Sequence, residues 1–101
     1  MRTYNLTDEA LQDLDDIFKY LSSYSLDAAD RFLDALEKKS ENLVAFPQMG
    51  KSYEDLAPQL RGVPIDGYII LYRLMGEDIE IIRIVSGYRD LKSLFWEADV
   101  S

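Results

Sequence analysis

Apolar positions along the chain recur first at a spacing of two, then at helical spacing, then in two dense runs. Tyr4 and Leu6 alternate with polar neighbours and predict a short first strand. Thr7 can cap a helix, with Asp8 and Glu9 following where the helix dipole favours anions. Ala10, Leu14, Ile17 and Leu21, with Leu11 and Phe18, then form one apolar stripe, while Asp13, Asp15, Asp16 and Lys19 take the outer side. This amphipathic helix runs to about Tyr24. Ser25 can cap a second helix with the stripe Ala28, Ala29, Phe32, Leu33, Leu36, Leu43 and Val44. The Ser22–Ser25 junction is short, so the two helices form an antiparallel hairpin. Pro47 ends the second helix and opens the loop Pro47-Gln48-Met49-Gly50.

The second half changes period. Residues 53–58 predict a helical turn, and Leu60 to Ile65 an edge strand, because Pro64 cannot donate to a ladder. Tyr68 to Leu74 and Ile79 to Val85 flank Gly76, and both arms are rich in β-branched and aromatic residues, which predicts a hairpin. Ser86-Gly87 breaks the second arm, and Asp90 can cap a last helical turn carrying Leu91, Leu94 and Phe95 beside Trp96. The expected fold is a single α+β domain over residues 1–101. An N-terminal strand and an antiparallel two-helix hairpin pack on one face of a small, mainly antiparallel sheet.

A turn centred on Gly76-Glu77 sets Leu74 opposite Ile79 and Arg73 opposite Glu80, a cross-strand pairing of about 0.2–1 kcal/mol. Extending that register puts Tyr68, Ile70, Tyr72 and Leu74 on one face with Ile79, Ile81, Arg83 and Val85. Both faces then carry apolar residues, although two helices can cover only one. A surplus of this kind marks an interaction surface. Its expected contacts are Tyr68, Ile70, Tyr72, Ile81 and Arg83, joined by Leu94, Phe95 and Trp96 near the chain end, with Trp96 off the stripe that packs Leu94 and Phe95. Self-association, or folding back of the Leu91–Trp96 segment, would cover the same surplus.

Composition narrows the chemistry. The 101 residues contain neither Cys nor His, which removes disulfides, thiol chemistry, imidazole bases and Cys/His zinc sites, and fits a reducing cytoplasm. No apolar run is long enough for a membrane span or signal peptide, so a soluble chain is expected. The net charge of −8 disfavours strong nucleic-acid binding, yet residues 60–95 carry five acidic and five basic side chains and can hold a local basic site. Asp13/Asp15/Asp16 and Asp30/Asp34/Glu37 spread around solvated helix faces rather than converging, so no metal or other cofactor is expected. Arg61 and Arg83 sit on strands facing the surplus. Each can clamp a phosphate or an acidic partner side chain, or bridge to a neighbouring carboxylate or backbone carbonyl. Tyr88 and Arg89 can be imagined as a proton-handling pair, but an ordinary Tyr, with a pKa of ~10, is a poor base at neutral pH. Arg89-Asp90 reads better as an anchor for the chain end.

The ordered segments Leu14-Asp15-Asp16-Ile17, Phe46-Pro47-Gln48-Met49-Gly50, Leu60-Arg61, Ile70-Leu71-Tyr72-Arg73 and Arg83-Ile84-Val85-Ser86-Gly87-Tyr88-Arg89-Asp90, with Ala28, Ala29, Phe32 and Leu36 in the second helix, resemble the RelE/ParE superfamily of bacterial toxins. The match spans nearly the whole chain and looks most like the ParE branch. That resemblance implies a type II toxin held inactive by a cognate antitoxin, whose helix and extended tail cover it in a higher-order complex. It also implies DNA gyrase as the target. Many relatives have His where this chain has Ser86. A RelE-like, ribosome-dependent mRNA endonuclease would instead use Arg61, Arg83, Tyr88 and Arg89. A relative that binds antitoxin but has lost toxicity is the third reading.

Overall fold

A computed structural model describes residues 3–87 of the chain. Strand β1 (Tyr4–Leu6) leads into helices α1 (Asp8–Ser22) and α2 (Leu26–Ala45), followed by β2 (Lys51–Ser52), β3 (Arg61–Ile65), β4 (Tyr68–Met75) and β5 (Asp78–Ser86). The strands form one sheet in the order β1-β5-β4-β3-β2, with β1 parallel to β5 and every other pair antiparallel. This is the expected α+β architecture, with the helix hairpin packed on one face.

The helix starts follow local chemistry. The Thr7 hydroxyl accepts the Ala10 N–H at 3.1 Å, and the Ser25 hydroxyl accepts that of Ala28 at 3.2 Å. Thr7 also ties α1 to the sheet, its hydroxyl donating to the Ile82 carbonyl at 2.8 Å and its N–H to that of Ile81 at 3.0 Å. Asp66 and Gly67, at φ 45° and 85°, make the two-residue turn between β3 and β4 that an Asp-Gly pair favours. Pro64 lies exposed on β3 beyond the reach of the two-residue β2, so its missing N–H costs no ladder bond.

The hairpin register begins as expected, with Leu74 opposite Ile79 and Arg73 opposite Glu80, and then shifts. A bulge between Leu71 and Tyr72 sets Tyr72 opposite Ile81 but Leu71 opposite Arg83, leaving Ile82 as the extra residue. It falls where β5 loses its neighbour, because β1 pairs only with Ile79–Ile81. One added residue exchanges the faces of everything after it. Ile84 therefore joins the core beneath the helices, and Val85 turns to the opposite face.

Two corrections follow for the expected interaction surface. Ile70, Tyr72 and Ile81 have no exposed area and lie in the main core with Ala10, Ile17, Phe32, Leu36 and Leu43, while Tyr68 packs edge-on against Phe32 at 5.3 Å. That face is the one the helices cover. The opposite face is not bare either: the segment linking β2 and β3 lays Tyr53, Leu56, Ala57 and Leu60 over Leu71, Val85, Ile69 and Ile82 as a second, smaller core. A helical turn there, closed by the Leu56 and Ala57 N–H groups donating to the Tyr53 carbonyl, supplies the cover that was not foreseen.

Candidate functional site

Arg83 is committed to the fold. Its Nε donates to Asp13 Oδ2 at 2.7 Å and its Nη2 to Oδ1 at 3.0 Å, and the Ile84 N–H reaches the same carboxylate at 3.0 Å. The Asp13 carboxylate thus satisfies an edge N–H of β5 just past the end of β1, and the hydrogen bond to it raises the arginine's affinity for its proton. Asp13, expected on the outer side of α1, is turned toward the sheet and mostly buried. Its companions stay outside, Asp15 paired with Lys19 at 2.8 Å and Asp16 accepting from Gln12.

Arg61 is tied down differently. Its Nη1 donates to the Gly50 carbonyl at 2.8 Å and to that of Gln48 at 3.4 Å. Beside it the Tyr72 hydroxyl accepts the Gly50 N–H at 3.0 Å and donates to the Pro47 carbonyl at 2.8 Å. Burial pushes the Tyr72 phenol above its ordinary pKa, offset in part by the Gly50 hydrogen bond and the Arg61 charge. The two arginines lie on strands either side of β4, roughly 10 Å apart across the sheet. For both, the structure selects the bridge to a carboxylate or backbone carbonyl. Arg73, the basic residue between them, pairs with Glu80 at 3.3 Å as the register predicted. Tyr88, Arg89, Leu94, Phe95 and Trp96 lie outside the described residues.

The knot of Tyr72, Arg61 and Gly50 has a consequence at the surface. It fixes the Phe46–Met49 loop against the tip of the β4–β5 hairpin, and two adjoining clefts of about 410 and 580 Å³ share Pro47, Gln48 and Leu74. The first is polar, lined by Ser52, Glu54, Gln59 and Arg61. The second is apolar, with Ala45, Phe46 and Met49. Phe46 is 67% exposed, and Met49 and Leu74 beside it are also open to solvent. Exposed large apolar side chains grouped in this way suit a protein partner better than a charged polymer. Sequence reasoning passed over this surface because Phe46-Pro47-Gln48-Met49 reads as a loop between elements; its signal was an aromatic residue and a methionine in a segment where polar residues are usual.

Residues 4–91 match the family described as the ParE toxin of the type II toxin–antitoxin system parDE. Two toxins of Caulobacter vibrioides are similar in sequence. Toxin ParE3 is 36% identical over 80 residues, covering 78% of this chain and 80% of that protein. Toxin ParE1 is 30% identical over 86 residues, covering 84% and 88%. The fold is shared with a chain of the chromosomal ParDE toxin–antitoxin system from P. aeruginosa, at a TM-score of 0.68 and 21% identity over 85% of this chain and 95% of that one. It is also shared with the isolated E. coli RelE toxin, at a TM-score of 0.59 and 14% identity over 97% and 95%.

Proposed function

The chain belongs to the ParE toxin family of type II toxin–antitoxin systems, and from that premise we propose that it inhibits DNA gyrase by protein binding and is neutralised by a cognate antitoxin. The observation that carries the mechanism is the fate of the two arginines. In-line attack by a ribose hydroxyl needs free cations around the phosphate and groups to move the proton. Arg61 spends its guanidinium on backbone carbonyls and Arg83 on Asp13. Tyr72 is buried with its phenol shifted away from the physiological range, and the chain holds no imidazole. What the described surface offers instead is the apolar ledge of Phe46, Met49 and Leu74.

In this reading the ledge supplies contact area for the target, and inhibition follows from occupancy rather than bond cleavage. The toxin acts in the cytoplasm, where gyrase works, and the antitoxin holds it in a higher-order complex until released. The test is a supercoiling assay with purified gyrase and antitoxin-free toxin. Supercoiling should stop, or cleaved DNA accumulate, at micromolar toxin; unchanged supercoiling at that concentration removes gyrase as the target.

A further inference from the structure

Surface loops are ordinarily the mobile parts of a fold, but the one carrying Phe46 is tied at every residue. The Phe46 N–H donates to the Asn42 carbonyl at 2.8 Å, and the Met49 N–H to that of Phe46 at 3.1 Å. On the sheet, β3 and β4 set Arg61 directly opposite Tyr72. Between them these two side chains take the carbonyls of Pro47, Gln48 and Gly50 and the N–H of Gly50. No slack is left at Gly50, where even a methyl would meet the Tyr72 ring at 2.8 Å.

In the folded chain this clamp satisfies its own polar groups. What it adds beyond that is the placement of Phe46 and Met49, which belong to neither core and are exposed. Nor is the clamp needed to stop α2, which Pro47 already ends. Ordering a loop and its side chains costs conformational entropy, and a partner that must impose that order binds more weakly. A partner that meets Phe46 and Met49 already set beside Leu74 is spared that loss. Tyr72 is fully buried and can touch no partner, and Arg61 turns its Nη1 inward to the loop.

We infer that Arg61 and Tyr72 are positioning residues for target binding: they set the affinity of the ledge through Phe46 and Met49, without contacting the target themselves. This role rests on the proposed inhibition of gyrase, and it gives the strand arginine a task other than holding phosphate. Its signature is coupling. A side chain that touches the target contributes whether or not Phe46 is present, whereas one that acts through Phe46 loses its effect when Phe46 is removed.

The test titrates purified gyrase with the full, antitoxin-free chain and reads both the concentration for half inhibition of supercoiling and the plateau, with circular dichroism confirming that each variant is folded. Arg61→Met keeps the aliphatic stem and loses the donors. Its half-inhibition concentration should rise about tenfold, the scale set by ordering two side chains on binding, while the plateau stays unchanged. Hydrogen exchange at the Met49 amide should quicken alongside. Arg61→Lys, which can still donate to the Gly50 carbonyl, should return to within about threefold of the unmodified chain. In a Phe46→Ser background, adding Arg61→Met should cost less than about twofold further, and Tyr72→Phe, acting on the same loop, should repeat the pattern in both backgrounds. Unchanged half inhibition by Arg61→Met, or losses from Arg61→Met and Phe46→Ser that simply multiply, overturn the positioning role while leaving gyrase as the target. Failure of the unmodified chain to inhibit gyrase at micromolar concentration overturns the proposed function itself.

Discussion

Replacing Tyr72 by Phe removes one oxygen from beneath the Pro47–Gly50 loop and nothing from the apolar packing. That oxygen accepts the N–H of buried Gly50 and donates to the Pro47 carbonyl. Leaving a buried donor unmet costs about 1–3 kcal/mol, whereas water can reach the partly exposed Pro47 carbonyl, so the expected loss is about 2 kcal/mol. With a urea slope of about 1–3 kcal/mol/M, the unfolding midpoint should fall by about 0.7–2 M. Titration gives an independent check. Burial raises the Tyr72 pKa above its unfolded value, so its contribution is complete below pH ~10 and is lost as pH rises through the folded pKa. The gap between wild type and Tyr72→Phe should therefore narrow above pH ~10, with the wild type doing the falling. Hydrogen exchange at Gly50 and Met49 should quicken in the variant, because the loop carrying Phe46 has lost its tie. A midpoint shift equivalent to less than about 0.5 kcal/mol, with a gap that stays constant through alkaline pH, would refute the reasoning.

Asp13→Ala strips Arg83 and the Ile84 N–H of their acceptor and should cost about 1.5–3 kcal/mol in thermal or urea unfolding. A double-mutant cycle with Arg83→Met should return a coupling of about 0.5–3 kcal/mol; a coupling near zero would free Arg83 for another role. Gly50→Ala sets a methyl 2.6 Å from the Tyr72 hydroxyl and 2.9 Å from the Gly62 carbonyl, and overpacking should destabilise the fold by about 1–3 kcal/mol in the same assay. Phe46→Ser/Leu74→Ser changes exposed side chains only, so the unfolding midpoint should stay within about 0.5 kcal/mol per site while gyrase inhibition falls at least about tenfold. Unchanged inhibition would move the target contact elsewhere.

The elements whose geometry is local were legible in the chain. The stripes of α1 and α2, their caps at Thr7 and Ser25, and the Arg73–Glu80 pair all depend on residues a few positions apart or on one tight turn. The bulge at Ile82 was not, because it arises where β1 ends after Leu6, far away in sequence. Missing it carried Arg83 and Val85 onto the wrong face. Tyr72 was misread for a related reason: an alternating run with apolar residues on both faces does not say which face the helices take. The cover from Tyr53 to Leu60 has no periodicity, and the two residues of β2 are too few to show any. Arg61 and Arg83 remained open between partner and fold because their acceptors, Gly50 and Asp13, lie 11 and 70 residues away. Asp13 belongs to the shoulder of α1, where helical spacing alone places it neither in nor out.

If the proposed function holds, the toxin works by binding protein and not by cutting RNA. That is tested most directly in cells induced to make the toxin without its antitoxin, mapping transcript ends and gyrase-linked DNA breaks in the same culture. Growth arrest with intact transcripts and an excess of gyrase-linked breaks is the expected result. Growth arrest with transcripts cut on the ribosome, and no such breaks, would contradict it.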